Sequence, residues 1–335
     1  MRQGISRYRA PLLAGSILFL LAAFAASLLL GRTPVGWGDL VDSMLRYDPS
    51  VVEHIVIRTE RLSRSLISVV VGACLSLAGA LMQALSRNPL ASTDLFGINA
   101  GAIFFVVFSA LFLGFDSMLQ LMGFAFLGAT LAALAVFGIG SLGRGGMTPM
   151  KLVFAGSAIA ALFASFTQAM LVTNESGLQD VLFWLAGSVS GRPLDNLIMA
   201  LPLLAAAGLA AFLLGRSINV FAAGDEAARG LGQNTTLIKA LLGVLIVVLA
   251  GGSVAIVGAI GFVGLVVPHL ARAVAGRDYR WILPFSAVMG AVLLLLADIA
   301  ARFVIMPKEV PIGVLTAAIG VPFFVHLARR GADRV

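Results

Sequence analysis

The chain has 335 residues, 60% of them hydrophobic and 12% charged, with a formal net charge of +7. Soluble globular domains carry about 25% charged residues, so a mean hydropathy of +1.02 assigns this chain to lipid and excludes an ordinary soluble fold. The positive balance does not indicate a nucleic-acid ligand, because the arginines sit in loops between apolar runs and follow the positive-inside bias.

The apolar runs are continuous and near the roughly 20 residues that a helix needs to cross a bilayer. They lack the short alternating pattern of membrane strands. An all-α, polytopic membrane protein is therefore expected, with about ten transmembrane helices in one domain over residues 1–335 and membrane lipid as its solvent.

Arg2, Arg7 and Arg9 precede the first run, 12–30. The stretch A-A-F-A-A-S offers small residues for signal cleavage, but the run is long for a signal core and the remaining chain is membrane-embedded, so it reads as a retained first helix. Further spans are expected at 65–85, 95–113, 118–139, 150–172, 196–214, 236–256, 281–304 and 311–327, with a short glycine-rich piece at 259–270. With the N-terminal arginines inside, Arg87, Arg144, Lys151, the stretch 216–239, the stretch 272–280 and the C-terminal arginines fall inside too. The outer loops near Asp116, Glu175 and Asp180 are poor in basic residues.

One outer stretch breaks this rule. Residues 31–64 carry Arg32, Arg46, Arg58, Arg61 and Arg64 among Asp39, Asp42, Asp48, Glu53 and Glu60. Two readings stand side by side: a surface that docks an acidic partner, or a solvated loop neutralised by its own acids.

Small residues pattern the helices. Gly72, Ser76, Gly79 and Ala80 share one face of the second span, Gly97 and Gly101 form a G-x-x-x-G, and Gly258, Gly261 and Gly264 recur every third residue. In lipid, close backbone approach takes the place of hydrophobic drive between helices, so these positions read as structural. The lone Cys74 lies in an apolar helix and reads as a packing residue.

Catalytic signatures are missing. None of Lys151, Lys239 and Lys308 follows a glycine, so no G-x-x-x-x-G-K-[ST] phosphate loop exists. His54, His269 and His326 are dispersed and form no H-E-x-x-H, so neither a metal site nor a directly bound cofactor is expected. Asp298 lies one helical turn before Arg302 and reads as its structural partner, with proton carriage as the lesser alternative. A proton- or sodium-driven transporter would carry more intramembrane acids, and a membrane enzyme more histidines and acids.

Two cytoplasmic segments are able to carry mechanism. Residues 221–234, F-A-A-G-D-E-A-A-R-G-L-G-Q-N, read as a short amphipathic helix ended by Gly230 and Gly232. It either plugs into a cleft on a soluble partner or simply connects two spans. In V-V-P-H-L-A-R, Pro268 interrupts the apolar run and His269 lies at the interface.

Eight motifs stand in a recognisable order: R-L-S-R at 61–64, L-M-Q-A-L-S-R-N-P-L-A-S at 81–92, G-I-N-A-G-A at 97–102, F-W-L-A-G-S at 183–188, G-D-E-A-A-R-G-L-G at 224–232, G-A-I-G-F-V-G-L-V-V-P-H-L-A-R at 258–272, L-L-A-D-I-A-A-R at 295–302 and E-V-P-I-G-V-L-T-A-A-I-G-V-P-F-F at 309–324. Over nearly the whole chain they resemble the permease family of bacterial ABC importers for iron–siderophores, haem and cobalamin. The resemblance implies a type II importer permease in the cytoplasmic membrane, with ten transmembrane helices per subunit. It implies a second permease subunit, two cytoplasmic ATPase subunits that use the ATP, and a periplasmic binding protein. It places docking of that protein at Arg61, Arg64 and Arg302, and coupling to the ATPase at Asp225, Glu226, Ala227, Gly230 and Gly232. The path is expected beside 148–167 and 313–323. Gln83, Asn88, Pro89, Thr148, Gly261, Pro268, His269, Asp298, Glu309 and Gly313 are expected to serve structure or path. Ser63 replaces the family's proline, and Val310 and Val321 replace its leucine and alanine; no charge is lost. The cargo expected from the resemblance is a ferric siderophore, with haem or cobalamin as the alternative.

Overall fold

The computed structural model describes residues 5–115, 117–142, 148–173, 184, 186–306 and 308–332, and every regular element among them is helical. In chain order these are α1 (Ile5–Leu29), α2 (Trp37–Leu45), α3 (Val52–Leu85), α4 (Ile98–Phe112), α5 (Met118–Ser141), α6 (Pro149–Thr173), α7 (Leu194–Leu213), α8 (Gly215–Ala222), α9 (Asp225–Gly230), α10 (Thr235–Val257), α11 (Val263–Ala275), α12 (Tyr279–Ala301) and α13 (Ile312–Ala332). Seven of them are long and apolar enough to cross a bilayer, and α4, α11 and the Ile312–His326 part of α13 are shorter apolar helices, so 7 + 3 gives the ten apolar segments expected. The expected outer loops near Asp116, Glu175 and Asp180 and the loop with Arg144 lie outside the described residues.

The largest departure is at 31–64, which is not a loop. It contains α2 and the first turns of α3, whose helix starts at Val52 and passes through a π-turn at Val56–Arg61. A π-turn inserts a residue into the helical repeat and commonly marks functional sites. Local charge density disguised a helix whose polar side chains find partners far away in sequence.

α3 is the axis of the bundle. Its apolar window is 78% buried, against 17% for α1, which lies at the periphery. It packs most extensively against α12 and also against α10 and α11. The approach is backbone to backbone: a Cβ at Gly72 would strike the Gly290 carbonyl on α12, and one at Gly79 would strike the Gly264 carbonyl on α11. The small face expected on this span is thus its contact surface. The every-third-glycine pattern holds only in part, since Gly264 is in contact while Gly261 faces open space.

Next to α11 the helical order gives way. Gly258 and Phe262 both have positive φ (80° and 66°), which ends α10 and turns the chain into α11. Ser188 N–H donates to Val257 O (2.8 Å), Ala259 N–H to Trp184 O (3.2 Å) and Gly313 N–H to Gly187 O (3.1 Å). Three motifs that are distant in sequence are thereby laced into one irregular backbone layer. Non-helical backbone at membrane depth persists only where protein covers it or a cavity meets it.

Gly79→Val is expected to disrupt the α3–α11 contact. Overpacking costs about 1–3 kcal/mol or more when the obstacle is backbone. Thermal unfolding of the detergent-solubilised chain should show a clearly lower midpoint, whereas Gly261→Ala should leave it unchanged.

Candidate functional site

Two polar constellations stand out, one at each end of α3. The outer one is built around Asp298 on α12, fully buried at 0% exposure. Arg64 of α3 donates from Nη2 (2.8 Å) and Nε (3.2 Å) to Asp298 Oδ1, and Arg302 binds Oδ2. Arg64 Nη1 also reaches Glu309 Oε1 and Oε2 at 3.0 and 2.9 Å, and Glu60 at 3.3 Å. Burial alone would raise the Glu309 carboxyl, but the hydrogen bonds and charge of Arg64 override it and hold the group below the usual range.

Arg61 does something different. It has no carboxylate partner among the described residues; its Nη1 donates to Leu28 O and Leu29 O, both at 2.8 Å, and its Nη2 binds Thr33 O. Arg302 Nη1 donates to Ser27 O and Leu30 O, both at 2.7 Å. The last carbonyls of a helix lack intrahelical partners and carry its negative dipole end. Two guanidiniums therefore cap α1 and weld it to α3 and α12.

These residues enclose a pocket of about 120 Å³ lined by Arg32, Glu60, Arg61, Arg64, Arg302 and Glu309. Four arginines face three carboxylates (Glu60, Asp298, Glu309), a balance of 4 − 3 = +1. The arginines at which the resemblance places docking are turned inward: Arg61, Arg64 and Arg302 are each 3% exposed. The two readings of the stretch 31–64 divide between its residues: Arg61 and Arg64 are buried in the wall of a cleft, whereas Asp42, Arg46, Asp48 and Arg58 stay exposed.

The inner constellation ties the segment 221–234 to its neighbours. It is two helices, α8 and α9, broken at Gly224, whose φ is 122°; Gly232 follows with φ 79°. The expected end holds, since α9 stops at Gly230 and Gly232 takes the positive φ; what differs is the start, which Gly224 sets at Asp225. Asp225, the first residue of α9, accepts from Arg87 beyond the end of α3 (2.5 Å) and from Lys239 on α10 (2.8 Å). Burial would raise this carboxyl, yet the two cations outweigh it and keep it below the ordinary carboxylate range. Arg87 also donates to Phe221 O at 3.0 Å and lies 4.7 Å from the Phe221 ring centroid. Glu226, Ala227, Gly230 and Gly232 are exposed, and Leu231 beside them is 74% exposed. Sequence reasoning missed Arg87, Lys239 and Leu231; an apolar residue between two glycines in a polar loop was the available signal.

The remaining candidates fall between these ends. Gln83 spans α3 and α11, donating to Leu265 O at 3.2 Å and accepting from Arg272. Asn88 Oδ1 accepts from Leu90 N–H at 2.9 Å, which shapes an exposed turn with Pro89. Thr148 accepts from Leu152 N–H at 3.1 Å and starts α6. Pro268 is buried within α11, and His269 meets Phe323 of α13 edge-on at 5.7 Å. A Cβ at Gly313 would strike Ala186 O.

Asp298→Asn should lower stability by up to about 3–5 kcal/mol, since it removes the buried charge that Arg64 and Arg302 share and leaves Arg302 only carbonyl and hydroxyl partners among the described residues. Thermal unfolding in detergent reads this directly, and an unchanged midpoint would contradict the network. A second expectation concerns acid. The Arg280 hydrogen bonds push Asp278, at the start of α12, down to about 2. Its unfolded value is about 3.9, so its contribution is complete above pH ~4 and fades as pH falls toward 2. Asp278→Asn should flatten that acid limb of the stability profile.

Comparison with known proteins agrees with this architecture. Residues 19–330 match the FecCD transport family. The chain is 52% identical over 316 residues to the Bacillus subtilis protein named Probable siderophore transport system permease protein YfiZ, covering 94% of this chain and 95% of that one. It is 38% identical to the Ferric enterobactin transport system permease protein FepD of Escherichia coli, covering 98% of both. A solved structure assigned to the metal-chelate type of ABC transporter, in an inward-facing conformation, superposes with a TM-score of 0.84 at 30% identity, covering 96% of this chain and 99% of that one. The chain belongs to the FecCD transport family and is a multi-pass membrane permease of the ABC type.

Proposed function

We propose that this permease forms half of the path by which a ferric siderophore complex crosses the bacterial cytoplasmic membrane. A second permease subunit supplies the other half. Two cytoplasmic ATPase subunits supply the energy, because this chain carries no phosphate loop of its own. The observation that carries the reading is the position of α3, which joins an arginine-walled pocket at one end to the clasped segment α8–α9 at the other.

In this reading an acidic group of the binding protein enters the outer pocket. Its attraction centres on Arg61, whose charge is met by helix carbonyls and, among the described residues, by no carboxylate within ion-pair distance. On the cytoplasmic side the exposed face of α9, with Glu226, Ala227 and Leu231, seats on the ATPase. Asp225 couples any displacement of that face to α3 and α10 through Arg87 and Lys239. Alternating access follows when nucleotide-driven closure of the ATPases moves these helices.

Arg61→Gln keeps a hydrogen-bond donor for α1 and removes the charge. It should weaken binding of the binding protein by roughly tenfold or more, since breaking a buried charged contact costs about 2–5 kcal/mol. Undiminished affinity in a surface-binding assay would remove the docking role. Asp225→Ala should leave the subunit folded but reduce ATP-driven uptake of a radiolabelled ferric siderophore in proteoliposomes. Full uptake in that variant would remove the clasp from coupling. Haem or cobalamin transported in preference to the siderophore would correct the cargo.

A further inference from the structure

On the outer side of the bundle an apolar groove of about 550 Å³ runs between α1 and α12, with α11 at its inner end. Leu12, Gly15 and Phe19 form one wall, and Val288, Val292 and Leu296 another. A Cβ at Gly15 would meet nothing within 4 Å, so the groove is open there. Its cytoplasmic mouth lies at Pro11 and Val274. Beyond that mouth stands Arg9, one turn below Leu12 on the same helical face. The Arg9 guanidinium reaches Gly276, with Nη2 3.1 Å from where a Cβ would stand there. Its Nε is buried and has no hydrogen-bond partner. Arg277 is adjacent, exposed, and forms no ion pair among the described residues. The neighbouring acid is not available to either, because Asp278 is engaged by Arg280 and Asn219.

We propose that this groove is a binding site for an anionic phospholipid of the cytoplasmic leaflet. The acyl chains lie along α1 and α12, and the phosphate accepts from Arg9 and Arg277. The chemistry selects this occupant over its rivals. A basic pocket at the cytoplasmic end of membrane helices attracts anionic headgroups. A zwitterionic lipid would satisfy the apolar wall but leave the cations uncompensated. A second copy of this chain would bring further basic loops, as its net charge is +7. Exposed Arg277 is open to a phosphate oxygen directly, and the unpartnered Arg9 Nε gains an acceptor when its side chain turns toward the headgroup.

The test uses the full chain in vesicles of phosphatidylcholine and phosphatidylglycerol, with one lipid or the other brominated. A bimane label at Ser16→Cys reports on the groove, the native Cys74 being buried. A second label at Leu134→Cys, in a second apolar pocket between α5 and α10 that no charged residue lines, reports on lipid contact without a cation. Brominated phosphatidylglycerol should quench the groove label roughly fivefold more effectively than brominated phosphatidylcholine, the scale expected for an arginine near an anionic surface. The Leu134→Cys label should show no such preference. Arg9→Gln with Arg277→Gln should bring the groove ratio to that of the α5 label. Equal preference at both positions, a preference that survives loss of both arginines, or a groove label that neither lipid quenches would each overturn the proposal.

Discussion

Within a bilayer, apolar side chains gain nothing by leaving lipid for protein, so helices must adhere through contact quality. Here that contact is the meeting of α3 with α12 and α11, where Gly72 faces Gly290 and Gly79 faces Gly264 with no side chain between. The axis meets α1, α7, α10, α11 and α12 directly. It brings Ser76 against Gly290 and lets Gln83 reach the α11 carbonyls. It also fixes how far apart the two polar constellations sit. From Arg64 to Arg87 the helix and its end cover about 35 Å at 1.5 Å per residue, so one rod reaches from the outer pocket to the inner clasp.

Both ends of that rod use the same chemistry in different settings. At the outer end the Arg64–Asp298 pair is sealed from solvent, and breaking it leaves charge without water. At the inner end the Arg87–Asp225 pair is about one-third exposed on each partner. Exposed pairs contribute little to stability and exchange readily. The outer constellation is thus a fixed joint, whereas the inner one is a contact that re-forms as its surroundings shift. In the coupling proposed above, that asymmetry lets the cytoplasmic contact shift while the outer joint holds.

Much of this was legible in the sequence because lipid imposes a long, uniform signal. Ten apolar runs read as ten segments, and the small face of α3 read as a contact surface. Boundaries failed where charge was satisfied at a distance. Glu60, Arg61 and Arg64 looked like loop residues, yet they belong to a helix because their partners lie on α1, α12 and at Glu309. Arg64 and Asp298 are 234 residues apart, and no local pattern links them. The Asp298–Arg302 pair was legible because one helical turn separates them. The helix end at Gly230 and Gly232 was legible from the glycines, but the break at Gly224 was not, because composition does not reveal φ. Arg87 escaped notice since it resembled any basic residue at a membrane edge.

α11 spans 13 residues, about 20 Å, against roughly 30 Å of hydrocarbon. Beside it lies the irregular layer built from 184, 186–190, 257–262 and 311–313. Its junctions are single amide-to-carbonyl bonds between separate strands of chain. Sliding one strand past another exchanges individual bonds and unwinds no turn. The shortest apolar helix among the described residues is thus completed by a layer that three hydrogen bonds hold, with no helical ladder behind them.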